Sequence, residues 1–409
     1  MRILIYSLNY SPELTGIGKY NAEMVEWLVK RGYEVRVVTA PPYYPDWKVW
    51  DGFSIYRYKR TVSAGANVWR CPLWVPSVQS GSKRVLHLLS FALTSFPVML
   101  SQIFWRPDVI FVVEPPLFCA PTALLCARLS RARSWLHIQD FEVDAAFDLG
   151  LVPKKFEGFI GMLEQRLMGM YDRVSSISER MLKRLDAKGV VKKKQFYFPN
   201  WVDTEQIFPM EQLSEYRQEL GLDDNCLVAL YSGNMGEKQG IEVVLEAASL
   251  LINDHRFQFV LCGTGAAYAR LRQLAINAKN IHWLPLQPFD KLNELLNLAD
   301  VHLLPQRSDA ADLVMPSKLT GMLASGRPVI ATVDTDTQIA KVVKDAGVVV
   351  PPENSGALVD ALKELLANPG LRYKMGMAGR EYAAKHLGLD AILSNFEQGL
   401  QACIRREGI

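Results

Sequence analysis

The sequence predicts an α/β protein built as two doubly wound parallel-sheet domains facing a central cleft. Three observations predict it. Short apolar segments alternate with segments of helical length, which demands right-handed crossovers between parallel strands. The alternation comes as two series, interrupted at the Pro-containing stretch Gln195–Asp203. Finally, 409 residues with 49% hydrophobic and 22% charged side chains suffice for two cores and exclude a disordered or fibrous chain. The expected domains are 1–200 and 201–375, with 376–409 as a helical tail able to cross back to the first domain.

In the first series, Arg2–Leu8 reads as a strand, Tyr20–Lys30 as an amphipathic helix and Glu34–Thr39 as a second strand. Residues Pro41–Pro76, rich in Pro, Tyr and Trp, form an irregular excursion with short strands near Phe53–Lys59 and Asn67–Cys71. Strands follow at Asp108–Val113, Ser134–Ile138 and Arg173–Ile177, with helices at Pro121–Ser130, Phe156–Met170 and Glu179–Lys188. In the second series, strands at Leu227–Ser232, Gln258–Cys262, Ile281–Leu284, Val301–Pro305 and Pro328–Thr332 alternate with helices at Ile241–Ile252, Ala267–Ala278, Lys291–Asn297 and Leu319–Ala324. The tail from about Gly356 is helical.

Val85–Trp105 is 21 uncharged residues between Lys83-Arg84 and Arg106. That length can cross a bilayer. Its His, Ser, Thr and Gln residues and the central Pro97 favour a buried helical pair or a helix lying in a membrane interface. No signal peptide is expected, since the first apolar run is short and lacks a small-residue cleavage site. The six cysteines form no CxxC pair and read as reduced thiols.

The net charge of +3 hides an asymmetry: residues 1–200 carry +10 and residues 201–409 carry −7. The basic half suggests an anionic partner such as a phosphorylated substrate or an anionic membrane surface. Nucleic acid is not expected, because the basic residues are scattered rather than interleaved with an aromatic stacking platform.

Five strand-end motifs carry candidate chemistry. Gly16 and Gly18 precede the first helix and could bring backbone N–H groups to a phosphate, although Asn21 replaces the third glycine of a dinucleotide fingerprint. His137-Ile-Gln-Asp140 ends a strand, where His137 could donate to a substrate hydroxyl or carry a proton and Asp140 opens a run of acids; the plainer reading is a core histidine. Gly233-Asn234-Met-Gly236-Glu-Lys238 joins glycines, a lysine and a helix start, which suits a diphosphate. Gly263 and Gly265 form another strand-to-helix turn. Last, Asp309 and Asp312 could accept from sugar hydroxyls, while Pro316-Ser317-Lys318 starts a helix and makes a second anion-binding corner.

Taken with Asn9–Tyr20, Ala40–Pro45, Phe198–Trp201 and Gly326-Arg-Pro328, these motifs resemble, along nearly the whole chain, the GT-B glycosyltransferases of family four, in particular the bacterial colanic-acid type. The resemblance implies two Rossmann-like domains and sugar transfer from a nucleotide-sugar donor with retention. It implies GDP-fucose as donor, a lipid-pyrophosphate-linked glycan as acceptor, and a site on the cytoplasmic face of the bacterial inner membrane, peripheral or monotopic. Lys238 takes the place of the family's diphosphate lysine, Pro316, Ser317 and Lys318 wrap the phosphates, and His137 takes the place of the cleft histidine. Two positions depart from the family: Asn234 stands where many members have arginine, and Gly321 where many have glutamate. No cofactor or metal is expected, because lysines and helix starts can stabilise a leaving diphosphate. The alternatives are a UDP-sugar donor in another surface-polysaccharide pathway, or a GT-B sugar epimerase or phosphorylase.

Overall fold

The computed structural model describes the chain except for residues 14–15, 78–80, 149–154, 156, 309–315 and 406–409. It divides into two compact units: Met1–Pro199 with Leu393–Ile409, and Asn200–Ile392.

The first unit holds strands β1 (Arg2–Tyr6), β2 (Glu34–Thr39), β3 (Lys59–Ser63), β4 (Ala66–Arg70), β5 (Val109–Glu114), β6 (Arg133–Ile138), β7 (Arg173–Ser176) and β8 (Gln195–Tyr197). They lie in the order β3-β4-β2-β1-β5-β6-β7-β8. Only the β3–β4 hairpin is antiparallel. Between the strands run helices α1 (Gly16–Lys30), α2 (Gly81–Gln102), α3 (Ala120–Ser130), α4 (Glu142–Asp148), α5 (Glu157–Met170) and α6 (Glu179–Ala187). Every residue of β5 is buried, as a central parallel strand covered on both faces requires.

The second unit has β9 (Leu227–Ser232), β10 (Phe257–Cys262), β11 (Ile281–Leu284), β12 (Val301–Pro305), β13 (Val329–Thr332) and β14 (Gly347–Val350), ordered β11-β10-β9-β12-β13-β14. Its helices are α7 (Glu215–Glu219), α8 (Glu242–Leu250), α9 (Tyr268–Leu274), α10 (Leu292–Asn297), α11 (Ser317–Ala324), α12 (Gln338–Ala346), α13 (Ser355–Ala367) and α14 (Pro369–His386). Side-chain caps start several helices: Thr337 accepts from Ala340 N–H at 3.1 Å and Asn354 from Ala357 N–H at 2.9 Å.

The last helix, α15 (Leu389–Arg405), begins in the second unit and ends in the first. There Phe396 stacks on Phe198 at 4.3 Å and meets Phe111 and Trp135 edge-on. A Cβ on Gly399 would stand 2.8 Å from the Phe196 ring, so a larger residue would lift the helix off the sheet. Within the segment drawn from the sequence as one tail, 376–409, the contacts therefore divide at Leu393.

Several elements differ from the sequence expectation. The strand expected at Phe53–Lys59 begins only at Lys59 and turns at Ala64-Gly65, both at positive φ. β8, β14, α4 and α7 are short and lack a clear period. The apolar segment is not a helical pair but one helix, α2, followed by a short 3-10 turn at Ile103–Trp105. Pro97 sits inside α2 on its exposed side. One face of α2 packs into the unit through His87, Leu88, Phe91, Ser95 and Met99. Tyr6 Oη and Ser95 Oγ lie 2.5 Å apart, and Arg36 donates to Gln102 at 3.0 Å. The other face leaves Leu86, Leu93 and Phe96 exposed, with Phe104 90% exposed just beyond.

Candidate active site

Ligands of doubly wound sheets sit outside the carboxyl ends of strands where the strand order reverses. In the second unit that reversal lies between β9 and β12. β9 runs into Gly233, whose φ of 146° is glycine territory and whose N–H donates to Cys262 O at 3.0 Å. The segment after β12 leads to α11, which has Pro316 at its start and no side-chain cap.

Lys318, the second residue of α11, is the link between these two strand ends. A Cβ on Gly233 would lie 3.4 Å from its Cδ and 4.0 Å from its Nζ. The ammonium stands 4.3 Å over the Tyr231 ring and donates to Tyr231 Oη at 3.3 Å. Tyr231 in turn donates to Asn234 O at 2.5 Å. Among the described residues no carboxylate pairs with Lys318, and burial alone pulls its pKa down to about 7. A desolvated cation, a glycine turn and the positive end of a helix converge there, and each favours an anion. Ser317 is exposed beside it.

The second unit's other described candidates lie on the neighbouring strand-end loops. Lys238 is exposed on the 3-10 turn Glu237–Gln239, and its carbonyl accepts from Arg307 N–H at 3.3 Å. Arg307, passed over in the sequence, packs against Gly240, where a Cβ would meet its Cγ at 3.0 Å. Its signal was a basic residue two positions after the apolar run of β12. Gly263 and Gly265 serve packing: a Cβ on Gly263 would overlap Gly233 O at 2.0 Å, and one on Gly265 would sit 2.5 Å from Met235 O. They allow two strand-end loops to touch and shape the corner from behind. Asn234 is exposed. A Cβ on Gly321 would stand 3.3 Å from Leu296, so that position of α11 is set by packing against α10. Asp309 and Asp312 lie outside the described residues.

In the first unit the order reverses between β1 and β5. Gly16 opens α1 at φ 60° and is exposed. Gly18 is buried: a Cβ there would stand 2.8 Å from Glu13. That glutamate, missed in the sequence, accepts from the N–H groups of Tyr43 and Tyr44 at 2.9 and 3.0 Å and from Asn9 at 2.9 Å. It ties the Gly-rich loop to the start of the excursion. Gly18 thus answers to packing, whereas Gly16 is open to a ligand.

His137, at the end of β6, is only 3% exposed. Its ring stacks near Phe111 at 5.6 Å and leans on Phe198 at 5.0 Å. With Gln139 Nε2 donating to its Nε2 at 2.9 Å, Nδ1–H donates to Ser175 Oγ, also at 2.9 Å. Burial drives its pKa down to about 3, so the ring is neutral. The ring is thus buried and neutral, held between Ser175 and Gln139, as the core-histidine reading of the sequence has it. Asp140, two residues beyond the strand, is exposed.

Asp334-Thr335-Asp336 has the Asp-x-Asp spacing of a carboxylate pair for a metal. It occupies the exposed turn before α12, where Asp334 O accepts from Thr337 Oγ1 at 2.7 Å. No cluster of three metal-ligating side chains occurs among the described residues. All six cysteines are buried and free.

Two parallel-sheet units, each with a glycine turn at its reversal point, define the GT-B architecture, and family comparison agrees. The Glycosyl transferase 4-like domain family matches residues 15–201 and the Glycosyl transferases group 1 family matches residues 213–382. The chain belongs to the GT-B glycosyltransferases of family four, and it is a glycosyltransferase. It is 44% identical over 407 residues, 97% of this chain and 98% of the relative, to a protein of Escherichia coli K12 named as the colanic acid biosynthesis glycosyl transferase WcaI. Among solved structures, sucrose-phosphate synthase from Thermosynechococcus elongatus superposes with a TM-score of 0.74 at 17% identity, covering 99% of this chain and 100% of that one. Anabaena HepE, in complex with UDP and glucose, superposes with a TM-score of 0.71 at 13% identity, covering 97% and 99%.

Proposed function

We propose that this enzyme transfers a sugar, fucose from GDP-fucose, with retention onto a lipid-pyrophosphate-linked glycan during colanic-acid-like exopolysaccharide assembly. The observation that carries the donor half is Lys318: a desolvated cation against a glycine turn, with no carboxylate partner among the described residues. Such a group is stabilised when an anion arrives. In transfer, the bond between the anomeric carbon and the diphosphate oxygen breaks, and negative charge grows on the leaving diphosphate. Lys318, Lys238 and the start of α11 would neutralise that charge without a metal or cofactor. The likeness to WcaI supports the pathway assignment.

A UDP-sugar is the second reading, supported by the HepE complex with UDP and glucose. A thermal-shift screen of GDP- and UDP-sugars separates the two, since a donor that binds the folded state raises its stability by mass action. A shift with GDP-fucose, and a product that keeps the donor's anomeric configuration by NMR, is expected. A shift with UDP-sugars alone overturns the GDP assignment.

The acceptor half rests on α2. Its exposed Leu86, Leu93 and Phe96, with Phe104 beyond, are bracketed by Lys83, Arg84 and Arg106. Apolar insertion and attraction to anionic lipid act together in such a helix. It would hold the enzyme on the cytoplasmic face of the inner membrane, next to a lipid-linked acceptor.

A further inference from the structure

The irregular excursion between β2 and β3, with the strands that follow it, forms a half-open pocket of 270 Å³ in the first unit, lined among others by Phe53, Arg57, Tyr58, Lys59 and Arg70. Three of its lining side chains are cations and none is a carboxylate. Arg70 is 5% exposed. Its Nη atoms are fixed on main-chain carbonyls, Ala40 O at 3.0 Å and Ser11 O, while its Nε is buried without a partner. The guanidinium lies 4.9 Å over the Phe53 ring. The acid that Arg70 feels is Glu13, but both Glu13 oxygens already accept from Tyr43, Tyr44 and Asn9. Arg57 and Lys59 are exposed and form no ion pair among the described residues. Lys59 also stands 5.5 Å over Phe53, with its ammonium 3.5 Å from Gly52 O. A buried arginine fixed on main-chain carbonyls and two exposed cations around one cavity are a site for a compact polyanion.

Size and position narrow the ligand. A pocket of 270 Å³ accommodates a compact headgroup. Tyr58 Oη donates to Thr94 O of α2 at 2.8 Å, directly beside Leu93, which is 66% exposed. A ligand seated in the cavity would therefore have its apolar chain next to the exposed face of α2.

We infer that this cavity binds the diphosphate of a lipid-linked acceptor, with Arg57, Lys59 and Arg70 as its ligands. The inference rests on the lipid-linked acceptor reading above and adds the place where the diphosphate is held. Arg57 and Lys59, being exposed, can be removed without disturbing the fold.

The test is calorimetric binding of farnesyl diphosphate to the full chain and to the double variant Arg57→Ala/Lys59→Ala, with nucleotide-sugar affinity measured alongside. The double variant should bind farnesyl diphosphate about tenfold or more weakly, as expected for losing contacts to a charged group, with donor affinity unchanged. Inorganic pyrophosphate should show the same dependence on the two cations with weaker binding overall, which marks the diphosphate as the recognised part. Equal affinity of wild type and variant for farnesyl diphosphate overturns the inference. So does an equal loss on phosphatidylglycerol vesicles that contain no diphosphate, because the cations would then serve the membrane surface alone. A transfer assay on a diphosphate-lipid acceptor keeps the two readings apart. Transfer by a variant with unaltered lipid-diphosphate binding rejects the cavity only. Cation-dependent binding without any transfer by the wild type supports the cavity and rejects the acceptor reading.

Discussion

Replacing Lys318 by methionine removes the charge and keeps an unbranched chain that still reaches the Tyr231 ring. Two effects of opposite sign follow. Donor binding should weaken by about 1.5–3 kcal/mol, the worth of a hydrogen bond to a charged group, or about ten- to 150-fold in Kd. Stability without donor should rise, because burial works against the ammonium at neutral pH, as its pKa near 7 records. Replacing a buried ion pair by apolar groups of similar volume is worth about 1–4 kcal/mol, and a lone buried charge has no partner attraction to offset its desolvation. Lys318 keeps partial exposure, so the lower end applies, a rise in Tm of about 2–4 °C. The wild type should also take up a proton on binding donor. Its affinity is full below pH 7 and declines above it, by up to about tenfold per pH unit, until the pKa of the bound state is reached. Lys318→Met should show no such decline from this group. Calorimetry of nucleotide-sugar binding between pH 6.5 and 9, with thermal unfolding of both proteins, reads all three effects. Wild-type donor affinity in the variant, or a variant that melts well below wild type, would refute the assignment of Lys318 as the anion-seeking cation.

The remaining predictions are shorter. Lys238→Ala should weaken donor binding by about 1.5 kcal/mol or more while leaving Tm unchanged, since the side chain is exposed; calorimetry and thermal unfolding check both. His137 and His302 are held neutral by burial, with pKa values near 3, so the unfolded chain binds more protons than the native one below pH 6.5. Their contribution is intact above pH 6.5 and is lost as the pH falls, at up to about 1.4 kcal/mol per unit for each. Burial raises the pKa of the Glu114 carboxyl well above its usual value and acts with the opposite sign, so the clean measurement is the difference between wild type and His137→Phe in urea unfolding from pH 4.5 to 7. An identical slope in the two would show that His137 is not the buried neutral ring described. On α2, Leu93→Ser with Phe96→Ser and Phe104→Ser should lower partition into anionic vesicles by several kcal/mol, given about 25 cal/mol for each Å² of apolar surface withdrawn from water. Undiminished sedimentation with such vesicles would remove α2 from the membrane reading.

Sequence patterning fixed the alternation of strands and helices because parallel strands buried on both faces are written as unbroken apolar runs, such as Val109–Val113 and Leu227–Tyr231. Glycine turns at strand ends were legible for a similar reason: only glycine accepts the φ of Gly233 or the loop contact at Gly263. What those glycines do was not legible. Gly233 faces Lys318, whereas Gly18, Gly263 and Gly265 answer to main-chain and Glu13 packing, and nothing in a one-dimensional pattern separates a turn open to a ligand from one closed by a neighbour.

Burial likewise belonged to the tertiary structure. His137 ends a strand in the expected place, yet its ring turns into the aromatic cluster of Phe111, Phe198 and Phe396, the last of them supplied by a helix more than 250 residues later in the chain. The sequence marks Lys318 as a cation at a helix start and Arg70 as an ordinary one, and it shows the surroundings of neither. Folding brings Lys318 over Tyr231, 87 residues away, and Arg70 onto the carbonyls of Ala40 and Ser11. The chain alone determined which residues could bind an anion, through their charge and backbone freedom. Only the fold decided which cations lost their water without gaining a carboxylate, because desolvation depends on what surrounds a group in space, and the chain order does not carry that.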